Sequence, residues 1–143
     1  MADPRVFVSF DYDNDSPSKV YFIGQSKNEK TPFNFEDCSC KESLPQMEWE
    51  KRIKEKINNC NILLVLVSTH SVNATGVKKE IKMAVEQDVP VVGIYLPDSN
   101  GNYWSSQNTT LPEGLYHSNC RTWKWDNIKS LLDSAMERGK NKK

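Results

Sequence analysis

Residues 62–67 form an unbroken apolar run, Ile62-Leu63-Leu64-Val65-Leu66-Val67, bounded by Asn61 and Ser68. A short run of this kind, rich in branched side chains and without a polar position, reads as the central strand of an open α/β sheet. In such sheets ligands bind in the crevice beyond the carboxyl ends of the strands. The segment that follows, from Ser68 through Gly76, leads from that rim into a helix carrying Val77, Glu80 and Ile81. Glu80 thus brings a carboxylate to the rim of the sheet.

The other elements alternate around this strand. Arg5-Val6-Phe7-Val8-Ser9-Phe10 is a first strand of β-branched and aromatic residues, ended by the turn formers Asp11-Tyr12-Asp13-Asn14-Asp15. Ser16-Pro17 offers an N-cap and a first-turn proline for a helix from Ser18 to about Ser26. Val20-Tyr21-Phe22-Ile23 reads equally as strand on composition, and only the crossover needed between parallel strands selects helix. Thr31-Pro32-Phe33-Asn34-Phe35-Glu36 alternates polar and apolar as an edge strand does, with a proline at its start. Trp49, Ile53, Ile57 and Cys60 recur at helical spacing and predict an amphipathic helix from Gln46 to Asn59.

Val77, Ile81, Ala84 and Val85 predict the buried stripe of the next helix, with Glu80 on its flank. Val89 to Leu96 is a fourth strand, and the polar insertion Ser99 to Gly114 is long enough to be a functional or mobile loop. Arg121-Trp123 forms a short fifth strand, after which Asp126 caps a helix that buries Ile128, Leu131, Leu132 and Ala135. Five strands with intervening helices predict a doubly wound parallel sheet.

Charge narrows the partners. Lysine plus arginine (19) balance aspartate plus glutamate (19), which argues against nucleic acid and against an anionic membrane surface. No apolar stretch reaches the length of a membrane span, and Met1-Ala2-Asp3-Pro4 begins no secretory segment, so a cytoplasmic protein is expected. The 143 residues suit a single domain, with a core over about residues 5–136 and a basic, solvated tail over 137–143. Cys38, Cys40, Cys60 and Cys120 read as free thiols in a reducing compartment. The Cys38-Ser39-Cys40 spacing and the isolated His70 and His117 suit no metal, and both histidines read as surface residues.

Val6-Phe7-Val8-Ser9-Phe10, Asn61 to Ser68, Val77-Lys78-Lys79-Glu80-Ile81-Lys82-Met83-Ala84 and Pro90-Val91-Val92-Gly93-Ile94 together resemble a TIR domain. They are more closely similar to the TIR-like branch of bacterial Thoeris antiphage defence, over most of residues 5–135. The resemblance implies a flavodoxin-like sheet of order 2-1-3-4-5 and a homo-oligomer held by TIR–TIR contacts. In catalytic members it implies cleavage of NAD at the nicotinamide–ribose bond, giving a linear or cyclic ADP-ribose signal that a downstream effector reads. NAD is then the substrate, and no cofactor is expected.

Carried over residue by residue, the catalytic glutamate of the family falls on Glu80, within a match to the tryptophan-valine-x-x-glutamate-isoleucine pattern. Gly76 stands where that pattern has its tryptophan, which loosens one wall of the implied pocket. The aromatic residue near the nicotinamide end falls on Trp49, and the acidic residue after the second strand on Asp37. Ser9, Phe10 and Asp11 occupy the exit of the first strand and border the same crevice.

The chemistry is consistent with one carboxylate. Nicotinamide leaves as a neutral molecule from a cationic ring, so its departure needs no proton donor, and a carboxylate that orients ribose hydroxyls and faces oxocarbenium charge suffices. Plainer readings stand beside each residue: a solvated helix position for Glu80, core packing for Trp49, and turn or cap chemistry for Asp37, Ser9 and Asp11. At the level of the whole chain, the alternative is a noncatalytic TIR-type assembly module. A phosphoacceptor receiver is disfavoured because the third strand ends in Val67-Ser68-Thr69 rather than an aspartate. A flavin site is disfavoured because the acidic, glycine-free Asp11–Asp15 segment makes no phosphate cradle.

Overall fold

The computed structural model describes residues 5–10, 34–36, 46–68, 74–96 and 110–137. Its elements are β1 (Arg5–Ser9), β2 (Asn34–Glu36), α1 (Gln46–Asn58), β3 (Ile62–Val67), α2 (Thr75–Glu86), β4 (Val91–Tyr95), a 3-10 turn (His117–Asn119), β5 (Cys120–Thr122) and α3 (Trp125–Ala135). The strands lie in the order β2-β1-β3-β4-β5, and every pairing is parallel. The expected helix over Ser18–Ser26 and the span 99–109 of the polar insertion lie outside the described residues.

The apolar run of β3 is buried along its whole length because helices cover both of its faces. Alternate residues sort the core into two layers. Val6, Val8, Ile62, Leu64, Leu66, Val92 and Ile94 pack with Ile128, Leu131, Leu132 and Ala135 of α3. Phe7, Leu63, Val65, Val67, Val91 and Tyr95 pack with Ile53 and Ile57 of α1 and with Val77, Ile81 and Ala84 of α2. Lys79 Nζ meets Glu50 Oε1 at 2.8 Å and ties α2 to α1.

Close packing leaves no room for a side chain at Gly93. A β-carbon there would lie 2.7 Å from Cys120 Sγ and 2.9 Å from Val67 Cγ2. At the end of α2 the chain reverses through Asp88, which adopts a left-handed φ of 58°. The Val89 N–H then donates to Ala84 O at 2.9 Å and the Asp88 N–H to Val85 O at 3.3 Å, a Schellman closure that satisfies carbonyls the helix leaves open.

Two expectations are corrected. Val85 does not join the buried stripe of α2; it is 56 % exposed. The buried arc consists of Val77, Glu80, Ile81 and Ala84, so it leans toward the glutamate and turns Val85 outward. Asp126 lies in the first turn of α3 rather than at its cap, which is Lys124; the carboxylate still sits favourably near the positive end of the helix. At the end of the polar insertion, Leu111 packs against the α1 and α2 layer and Pro112 is buried.

Candidate active site

The strand order reverses direction between β1 and β3, since the chain leaves β1 for β2 on one side and then returns to β3 on the other. At such a switch point the loops diverge and leave a crevice beyond the carboxyl ends of the strands. Ser9 is the last residue of β1, in register with Val65 of β3. Its side chain shares a face with Phe7, on the side of the sheet covered by α1 and α2.

Glu80 reaches the same place from α2. Val77, Ile81 and Ala84 seat the helix on the sheet, and Glu80 lies beside them at 7 % exposure. The Ser9 hydroxyl donates to Glu80 Oε1 at 2.7 Å. Burial pushes the Glu80 carboxyl from an ordinary 4.5 up to about 8, and the Ser9 hydrogen bond pulls in the opposite direction. Position matters here as well: Glu80 lies past the first turn of α2, beyond the reach of the helix dipole that would favour its ionised form.

The remaining candidates divide. Trp49 is partly buried against the α1 and α2 layer of the core. Phe10 follows Ser9 but points to the opposite layer, in the apolar core under α3, and is not brought to Glu80. Asp11 and Asp37 lie outside the described residues. Among the described residues, a β-carbon added at Gly76 would meet nothing within 4 Å, so on their side the position one helical turn before Glu80 is open.

Sequence reasoning placed Ser9 at the crevice without pairing it to Glu80. The two are separated by 71 positions, and only the register of β1 against β3 and the pitch of α2 join them. His117, expected at the surface, is half-buried. Its Nδ1 lies 2.7 Å from the Tyr95 hydroxyl, with the two rings stacked at 6.0 Å. This contact closes the carboxyl end of β4 against the 3-10 turn and belongs to packing rather than to the Glu80 site. Cys60 and Cys120 are buried thiols outside any disulfide, and burial pushes the Cys120 thiol up to about 12, which leaves it inert as a nucleophile. Among the described residues, no cluster of three or more His, Cys, Asp or Glu side chains could hold a metal.

The family model described as "Thoeris protein ThsB, TIR-like domain" matches residues 7–101. No curated protein matches the sequence. A crystal structure of a prokaryotic SEFIR domain is similar at a TM-score of 0.54 and 14 % identity, covering 92 % of this chain and 88 % of that one. The TIR domains of the activated Roq1 resistosome, which directly recognizes the pathogen effector XopQ, align at a TM-score of 0.43 and 14 % identity, over 64 % of this chain and 56 % of theirs. At this identity the SEFIR likeness bears on the fold alone.

Proposed function

The chain belongs to the TIR-like family of the Thoeris protein ThsB, and from that premise we propose that it cleaves NAD at the nicotinamide–ribose bond, with Glu80 as the catalytic carboxylate. The observation that carries this reading is the burial of Glu80 at the switch point, hydrogen-bonded to Ser9 across the mouth of the sheet. A glutamate on a helix surface is ordinarily solvated, and one held in the apolar arc of α2 is costly unless it has a task.

The site's electrostatics fit a cationic substrate. Free of ligand, Glu80 holds its proton at neutral pH. A bound nicotinamide ring brings a positive charge, which favours the ionised carboxyl and releases that proton to solvent. The carboxylate then faces the charge that develops on the ribose as neutral nicotinamide departs. Little water competes for it at this depth. Trp49, on the neighbouring helix, supplies an apolar flank; Asp11 after β1 and Asp37 after β2 complete the residues assigned to substrate.

The same reading takes the chain as a single flavodoxin-like domain with a five-stranded, doubly wound sheet, acting in the cytoplasm. It works as a homo-oligomer whose TIR–TIR contacts complete the pocket. Its product, an ADP-ribose signal made on phage infection, acts on a separate effector.

The test is chromatography of NAD incubated with the purified protein over a wide range of concentration, with and without lysate of infected cells. Nicotinamide release is expected, with specific activity rising with protein concentration. Glu80→Gln keeps size and hydrogen-bonding reach but removes the charge, and should lower turnover a hundredfold or more, on the order of one preorganised electrostatic group. Full turnover in Glu80→Gln, or none in the wild type while it still assembles, rejects catalysis and leaves a noncatalytic assembly module.

A further inference from the structure

Ser9 stands in the crevice, where a substrate-binding role is the natural expectation, yet its geometry leads elsewhere. The side chain is 1 % exposed. A serine hydroxyl has a single proton to donate, and here it goes to Glu80 Oε1. A hydroxyl so committed and so deeply placed has no donor left for a ribose or phosphate oxygen.

We infer that Ser9 is a positioning residue for the proposed reaction: its hydroxyl, fixed by β1, holds the Glu80 carboxyl at the switch point and supports its charged form. This rests on the reading of Glu80 as the NAD-cleaving carboxylate. The two sides of the contact are both anchored. Ser9 is fixed by the pairing of β1 with β3 at Val65, and Glu80 by the seating of Val77, Ile81 and Ala84 in the core.

Among the described residues, the neighbouring groups leave this role to Ser9. From the sheet, Phe7, Val65 and Val67 present apolar side chains to the same layer. On α2 the adjacent Lys79 is turned to Glu50 of α1, at 2.8 Å. The charge of Glu80 is influenced by burial and by Ser9, and of these only the hydroxyl favours the ionised state. A serine that merely filled space would leave the ionisation of Glu80 unchanged on removal; a serine that bound substrate would change KM. The positioning role predicts neither.

Ser9→Ala and Ser9→Thr separate these cases. The alanine leaves Oε1 without its donor, and the threonine keeps a hydroxyl on the same carbon; circular dichroism checks that each folds. Carbon-13 NMR of the Glu80 carboxyl, assigned by its loss in Glu80→Gln, is titrated in all three proteins without ligand. In Ser9→Ala the midpoint should move upward by about one pH unit, a tenfold change in the ionisation constant, and in Ser9→Thr it should return toward the wild-type value.

With NAD, Ser9→Ala should lower kcat about tenfold at neutral pH, recover as pH rises, and leave KM within about twofold. An unmoved titration in Ser9→Ala, or a raised KM with kcat unchanged, overturns the inference. The titration reads the contact whether or not NAD is cleaved. Absence of turnover with a shifted midpoint therefore rejects the proposed function, while an unshifted midpoint rejects the role of Ser9.

Discussion

The hydroxyl of Ser9 donates to Glu80 Oε1 at 2.7 Å, joining the end of β1 to α2 across 71 positions of sequence. Both residues are buried. The contact therefore does two things together: it places a carboxyl where an open parallel sheet leaves its crevice, and it puts a titratable group in the core of the fold. Function and stability are coupled through the same side chain, and the coupling has a sign.

Folded Glu80 titrates at about 8 against an ordinary 4.5. Between these values the folded chain holds a proton that the unfolded chain has released, so the slope of stability with pH is negative there. The contribution is full below about pH 4.5 and is lost as pH rises through about 8. Each unit of separation corresponds to about 1.4 kcal/mol, which sets the upper scale of the effect. Glu80→Gln carries no proton, so its melting temperature should match the wild type near pH 5 and exceed it by several degrees near pH 9. Parallel melting curves for the two proteins across that range would contradict the burial of an ionisable Glu80.

Much of this fold is legible in the sequence, and the reasons are local. The β3 run, Ile62–Val67, coincides with the observed strand because a segment covered on both faces carries no polar residue. The helix α1 was equally legible through the recurrence of Trp49, Ile53 and Ile57, two of which are fully buried. Legibility fails where burial departs from hydrophobicity. On α2 the apolar Val85 faces solvent while the charged Glu80 is inside, an exchange that a pattern of apolar residues reads backwards. Long-range pairs such as Ser9 with Glu80 and Tyr95 with His117 depend on strand register and crossover, which no local pattern encodes.

Gly93 tests the tight packing of β4. Its hypothetical β-carbon falls 2.7 Å from Cys120 Sγ and 2.9 Å from Val67 Cγ2, both inside the core. Gly93→Ala is therefore expected to destabilise the protein by about 1–3 kcal/mol through overpacking. Cys120→Ala removes the nearer of the two atoms, so the double variant should lose less than the sum of the single losses. Denaturant melts of the four proteins supply the cycle; strict additivity would place the strain elsewhere.

Asp88 tests the closure of α2. It holds a left-handed φ of 58° while its N–H and that of Val89 satisfy the carbonyls of Val85 and Ala84. A glycine adopts that conformation without the β-carbon clash, though it also frees the unfolded chain. The balance predicts that Asp88→Gly stabilises by about 0.5 kcal/mol, while Asp88→Ala destabilises by about 1 kcal/mol. The order of urea midpoints, Gly above Asp above Ala, is the measurement, and Asp88→Gly falling below the wild type would show that the aspartate side chain contributes a contact of its own.

Gly76 separates stability from substrate binding at one position. It is the second residue of α2, it lacks the positive φ that would demand glycine, and an added β-carbon meets nothing within 4 Å among the described residues. Gly76→Ala should therefore stabilise the helix by up to about 1 kcal/mol, as alanine does for glycine within helices, and leave NAD cleavage unchanged. Gly76→Trp goes further. Residues four apart share a helix face, and helical side chains lean toward the amino end, so an indole at 76 lies on the side toward which Glu80 extends. If that open space is the wall of the nicotinamide pocket, the tryptophan should lower KM for NAD severalfold, with kcat little altered and the fold intact. An unchanged KM, with Gly76→Trp folded and active, would place the pocket on another side of Glu80.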